Sequence, residues 1–174
     1  IYRHLTPFGK ICVIKSLALS KLSHLALVIP TLNKENIKEI NKLLFTFLWD
    51  NKPDKVNRTD VLRPVKMGGL GMVEVESFWK ALQFSWFRRL VKTDDIWQDI
   101  LLAEIRSSCN ERVTKNDLLF AGPSKLKHFG NNIKNPFWRE VFCSAGEILL
   151  ESLFSSPENF SLLPICDNPI FKIG

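Results

Sequence analysis

Three groups of basic side chains are the residues of this chain best suited to chemistry with a polyanion. Lys10, Lys15 and Lys21 recur along the first helical stretch, Arg58, Arg63 and Lys66 punctuate a proline-containing connection, and Arg88, Arg89 and Lys92 close a later helix. Lysine and arginine contact backbone phosphates, and such contacts position a nucleic acid without reading its sequence. The Arg88–Lys92 group also has a structural explanation, because positive charge in a last turn complements the helix dipole. The tryptophans, Trp49, Trp79, Trp86, Trp97 and Trp138, offer faces on which bases could stack. All of them fall at apolar helical positions or helix ends, where core packing accounts for them better.

Other chemistries find less material. A metal-dependent polymerase or nuclease needs converging carboxylates. Asp94, Asp95 and Asp99 are the nearest approach, with Asp95 and Asp99 one helical turn apart, but a helix N-terminus favours carboxylates anyway. His4, His24 and His128 are scattered, and none sits in a nucleophile motif of the Ser/His/acid kind. Gly68-Gly69-Leu70-Gly71 has the look of a phosphate loop, yet it lacks the G-x-x-x-x-G-K-[ST] pattern and reads as a structural turn. Cys12, Cys109, Cys143 and Cys166 are far apart with no C-x-x-C pair, so they read as reduced thiols and not as a disulfide framework or zinc site.

Composition fits a globular chain: 45% hydrophobic and 24% charged residues, enough for one core or two small lobes. The net charge of +6 is unevenly spread. Residues 1–92 hold 16 Lys/Arg against 7 Asp/Glu, and residues 93–174 hold 8 against 11. A polyanion partner is therefore expected for the first half only. No apolar run reaches the length of a membrane helix, and the longest candidate, Ile11 to Pro30, is broken by Lys15, Lys21 and His24. The ends, Ile1 and Pro169-Ile170-Phe171-Lys172-Ile173-Gly174, read as cut from a longer polypeptide.

The elements that would position these groups are helices. Thr6 and Pro7 predict a helix start, and Phe8, Ile11, Ile14, Ala18, Leu22, Leu25 and Ile29 recur at helical spacing up to Pro30. Val13, Leu17 and Leu19 widen that stripe, so the helix is expected to be buried on more than one side. Asn33 predicts a second helix over 34–48, with Lys34, Lys38 and Lys42 on a separate stripe. Residues 51–67 have no clear period. Further helices are expected from Val75 to Lys92, from Asp94 to Arg106, and from Asn135-Pro136 onward, with a last short one from Ser156 to Leu163. Ser107 to Asn135 is the least legible stretch, with a short strand or helical turn at Leu118-Leu119-Phe120. The expected fold is mainly α, a bundle-like set of about five or six helices with little strand, the small candidates being Leu118 and Ile170.

Six phrases in order resemble the region after the polymerase palm in LINE-type (non-LTR) retrotransposon reverse transcriptases. They are Leu5-Thr6-Pro7-Phe8-Gly9-Lys10-Ile11, Val13 to Leu22, Ile40 to Phe45 with Phe47-Leu48-Trp49, Gly68 to Gly71, Phe78-Trp79-Lys80-Ala81-Leu82, and Ser85 to Leu90. Asn135-Pro136-Phe137-Trp138, Leu163-Pro164-Ile165 and Asn168-Pro169 are similar to the region beyond the thumb, although an aromatic residue usual near Cys166 is missing. The resemblance implies thumb-like helices over 1–50, a basic connection with a glycine-rich turn over 51–73, and a helical connector over 74–174. It implies that Lys10, Lys15 and Lys21 face the phosphates of an RNA–DNA hybrid. It also implies that the parent RNA-directed DNA polymerase uses magnesium on aspartates upstream of this chain, copies an RNA template at a target DNA, and works in the nucleus and cytoplasm. The fragment itself is then expected to need its upstream palm and to lack a cofactor and catalysis of its own. The competing expectations are a non-catalytic helical protein-interaction module and a decayed relic of such an element.

Overall fold

The structure is a computed structural model that describes residues 5–30, 32–92, 95–109 and 112–154. It is mainly α, and no strand occurs among the described residues. The chain divides into two compact units, residues 1–79 and 80–174.

In the first unit, Thr6 accepts the Gly9 N–H at 3.3 Å and Pro7 opens α1 (Pro7–Val13). A π-helical turn, Ile14–Ala18, carries the chain into α2 (Leu19–Ala26). A π turn spends an extra residue and rotates every following side chain. This is why the fully buried positions run Ile11, Ile14, Leu19 and Ala26, while Ala18 and Leu22 of the regular series pack partly buried against the same core and Leu25 is exposed. Of the residues expected to widen the stripe, Leu19 is buried and Val13 half-buried but Leu17 is exposed, and Phe8 and Leu25 of the stripe itself are exposed.

Asn33 caps α3 (Lys34–Leu48) by accepting from the Asn36 N–H at 3.2 Å. The connection after it is more ordered than its sequence suggests. Asn57 caps α4 (Arg58–Leu62), and a 3-10 turn, Val65–Met67, precedes the glycines. Met72 N–H donates to Val61 at 3.0 Å and Gly71 N–H to Arg63 at 2.8 Å, which closes the loop. Val61, Met72 and Val75 then join Ile11, Ile14, Leu44, Leu48 and Trp49 in one apolar core, so the 51–73 segment belongs to the body of this unit.

Helix α5 (Val75–Lys92) leads into the second unit, followed by α6 (Ile96–Cys109), α7 (Lys115–Leu119), α8 (Pro123–Asn132) and α9 (Pro136–Phe154). Leu118 lies in a short helix and not a strand. Thr114 and Asp117 form a reciprocal capping box that starts α7, and hydrogen bonds from the Thr114 hydroxyl and N–H hold the Asp117 carboxyl below its usual range. Leu90, Leu101, Ile105, Leu126, Phe129, Ile133 and Phe142 make this unit's core. Inside it, the Ser144 hydroxyl donates to Gln83 at 3.1 Å, which satisfies two buried polar groups and ties α9 to α5. The helix expected over Ser156–Leu163 and the strand candidate at Ile170 lie outside the described residues.

Candidate nucleic-acid interface

The first unit brings Lys15 onto the glycine turn. Lys15 stands in the π turn, is exposed, and its Nζ lies 3.9 Å from where a Gly71 Cβ would be. The same Cβ position is 3.2 Å from Val65, so the Lys15 ammonium sits beside the segment that carries exposed Arg63 and Lys66. Gly71 has a φ of 65°, a conformation in which a side chain is strained, and that keeps this approach open. The glycine cluster works as the turn expected of it: its Gly68, Gly69 and Gly71 N–H groups donate to Val65, Pro64 and Arg63 and hold the loop.

The other basic residues differ in what they have left to offer. Arg58 pairs with Asp54 at 2.7 Å and lies over the Phe45 ring at 4.6 Å. Arg63 pairs with Asp60 at 2.9 Å on the surface. Exposed pairs of this kind contribute little and yield readily to a phosphate. Lys21 is exposed on α2. In the second unit, Arg88 and Arg89 are exposed, with the Arg89 guanidinium 4.7 Å from the Trp86 ring, while the side chain of Lys92 lies outside the described residues.

Lys10 departs from expectation. It is buried on α1, its ammonium pairs with Asp50 and donates to the Leu48 carbonyl at 3.2 Å. That carbonyl belongs to the last turn of α3, where backbone acceptors lack helical partners. Lys10 is thus an internal clasp for the end of α3, beside Asp50 and Asn51, which both have positive φ. Sequence spacing grouped it with Lys15 and Lys21, but burial takes it away from any phosphate. We expect Lys10→Met to destabilise the first unit by about 1–2 kcal/mol, the cost of losing a buried charged donor whose partner Asp50 can return to water. Urea denaturation monitored by circular dichroism measures this.

The tryptophans sort by unit. Trp49 and Trp79 are buried. Trp86, Trp97 and Trp138 are half-buried and in mutual contact, with Trp97 and Trp138 stacked at 5.4 Å and Trp86 edge-on to both. Their faces are largely spent on one another.

Groups for other chemistry do not converge. Asp95 and Asp99 are exposed, and Asp94 lies outside the described residues. No group of three or more His, Cys, Asp or Glu that could hold a metal occurs among the described residues. Burial, helped by Glu140 and Glu147, pushes the Cys143 thiol up, and burial with Glu147 nearby raises the Glu140 carboxyl. A thiol so placed stays protonated and is a poor nucleophile. No helix among the described residues is long and apolar enough to cross a membrane. No family model, curated protein or solved structure matches this chain.

Proposed function

We propose that this chain is a nucleic-acid-gripping thumb and connector of a retrotransposon RNA-directed DNA polymerase, acting within a polypeptide whose palm carries the catalytic aspartates and their magnesium. The observation that carries the binding part is the placement of Lys15 beside the turn bearing Arg63 and Lys66. Cations gathered at one hydrogen-bonded turn can meet a phosphate together. Lys21 and Arg58 extend the basic surface of the same unit, and Arg88, Arg89 and Lys92 are the candidates in the other. The reading favours an RNA–DNA hybrid or target DNA as partner and a nuclear and cytoplasmic setting. The choice of polymerase over other nucleic-acid binders rests on the ordered phrases of the sequence.

The test is anisotropy of a labelled RNA–DNA hybrid across a salt series. Binding should weaken linearly in log–log form, because each neutralised phosphate releases counterions. Replacing Lys15 and Lys66 by Gln should weaken binding and reduce the salt slope by about 2, close to one per lysine. Lys10→Met should leave the slope of the folded protein unchanged. Absence of hybrid binding, or binding with the same slope in the Lys15/Lys66 variant, would reject the assignment.

A second reading has its own support. Phe8, Leu17, Leu25, Leu43 and Phe47 are large apolar residues exposed on the first unit. This favours a helical protein-interaction module. Its binding would vary little with salt.

A further inference from the structure

The outward face of α6 carries apolar residues where a solvated face would carry charge. Ile96 is 81% exposed and Ile100 66%. Exposed Ala103 and Ser107 continue the same line. The spacing is four, three, four, which is the narrow seam of a two-stranded coiled coil. The opposite face is already committed, since Gln98, Leu101, Leu102 and Ile105 are buried. Asp99 and Arg106 flank the seam on one side, both exposed, and Trp97 and Glu104 flank it on the other.

We infer that two copies of this chain associate through α6, antiparallel about a two-fold axis. In that register Ile96 lies against Ser107 of the partner subunit, and Ile100 against Ala103 of the partner subunit. The flanking charges choose the direction. Antiparallel pairing sets Asp99 beside Arg106 of the partner subunit, and the symmetry repeats the pair. Parallel pairing would instead bring Asp99 towards Glu104 of the partner subunit, a like-charge contact that disfavours it. Arg106 is held ready: its Nε donates to the Val113 carbonyl at 2.8 Å, leaving the other guanidinium N–H groups for a carboxylate. Glu104 is drawn the other way, accepting the Asn135 N–H at 2.8 Å. Lys115 shares a shallow pocket with Asp95 and Asp99, so a neighbouring cation of the same chain also faces the Asp99 flank. A seam of this length, about 20 Å for 14 residues, buries little area, and the association is correspondingly weak and reversible. This inference is independent of the nucleic-acid reading.

Sedimentation equilibrium of the whole chain over about 0.01–0.5 mM, the range in which small interfaces associate, decides it. A monomer–dimer equilibrium is expected. Ile100→Lys, on an exposed position, should raise the dimer Kd about 100-fold or more, since it buries charge in the seam. Asp99→Lys should raise it about tenfold, and adding Arg106→Glu should return it to within about threefold of the parent, because the pair is reversed and not lost. If the effect of Asp99→Lys ran through Lys115, the second change would give no rescue. Circular dichroism of each variant confirms that α6 is folded. A chain that stays monomeric throughout, a dimer indifferent to Ile100→Lys, or a double reversal no better than Asp99→Lys alone would each overturn the inference.

Discussion

Gly69→Ala is expected to cost the first unit about 3–5 kcal/mol, at the severe end of single substitutions. An added Cβ would press into the Arg63 carbonyl oxygen and lie 2.5 Å from the Arg63 carbonyl carbon and Cβ. The obstacle is backbone, pinned by the Gly71 N–H donating to that same carbonyl, so it cannot swing aside as a long side chain would. Relief requires opening the loop that brings Val61 and Met72 into the core. Gly68→Ala is the control. Its φ of 80° strains a side chain, but nothing lies within 4 Å of the added atom, and a loss of about 1 kcal/mol is expected. Urea denaturation of both variants tests the difference. Equal losses would mean that the turn is flexible and that close approach is not what glycine provides at position 69.

Phe142→Ala should destabilise the second unit by about 3–5 kcal/mol, the usual range for emptying a buried aromatic site. Phe142 is fully buried on α9 and meets two rings edge-on, Phe87 of α5 at 5.9 Å and Phe129 of α8 at 6.4 Å. Truncation removes both ring contacts and leaves a void between three helices, which the surrounding side chains fill only in part. Phe120→Ala, on a ring that is exposed, should by contrast change stability by less than about 0.5 kcal/mol. Thermal and urea melts give both values, and similar losses at the two positions would show that the core lies elsewhere.

Helix starts were the most legible part of the chain. Thr6-Pro7, Asn33 and Asn135-Pro136 each offer a side-chain acceptor or a pre-set φ at the right place, and such local chemistry needs no tertiary partner. The α3 limits, Lys34–Leu48, follow directly from it. Periodicity failed where the backbone changed its pitch. A regular helix read through Ile14–Ala18 assigns Leu25 to the core, and after the π turn Ala26 stands there while Leu25 is exposed. Nothing in the residue types marks that extra residue. The segments 51–67 and 107–135 were opaque because their helices are five to ten residues long, too short to display a period. In the candidate site, exposure of Lys15 and Lys66 accords with a basic surface, but the neighbourhood of Lys15 and Gly71 spans more than fifty residues and leaves no mark in either segment. Lys10 was misplaced for the same reason, because its acceptors, Leu48 and Asp50, come from a different helix.

The stacked indoles of Trp97 and Trp138 give the second unit an optical signature. Two identical chromophores at 5.4 Å with rings only 5° from parallel share their excited states, and that coupling decays steeply with separation. One ring rides on α6 and the other on α9, with Trp86 of α5 edge-on to both, so the coupling of the three indoles changes when any of those helices comes away. Trp49 and Trp79 sit in the other unit. The tryptophan absorption and dichroism of the second unit therefore carry a contribution from the packing of α5, α6 and α9 that is separate in origin from the tryptophans of the first unit, without any label being added.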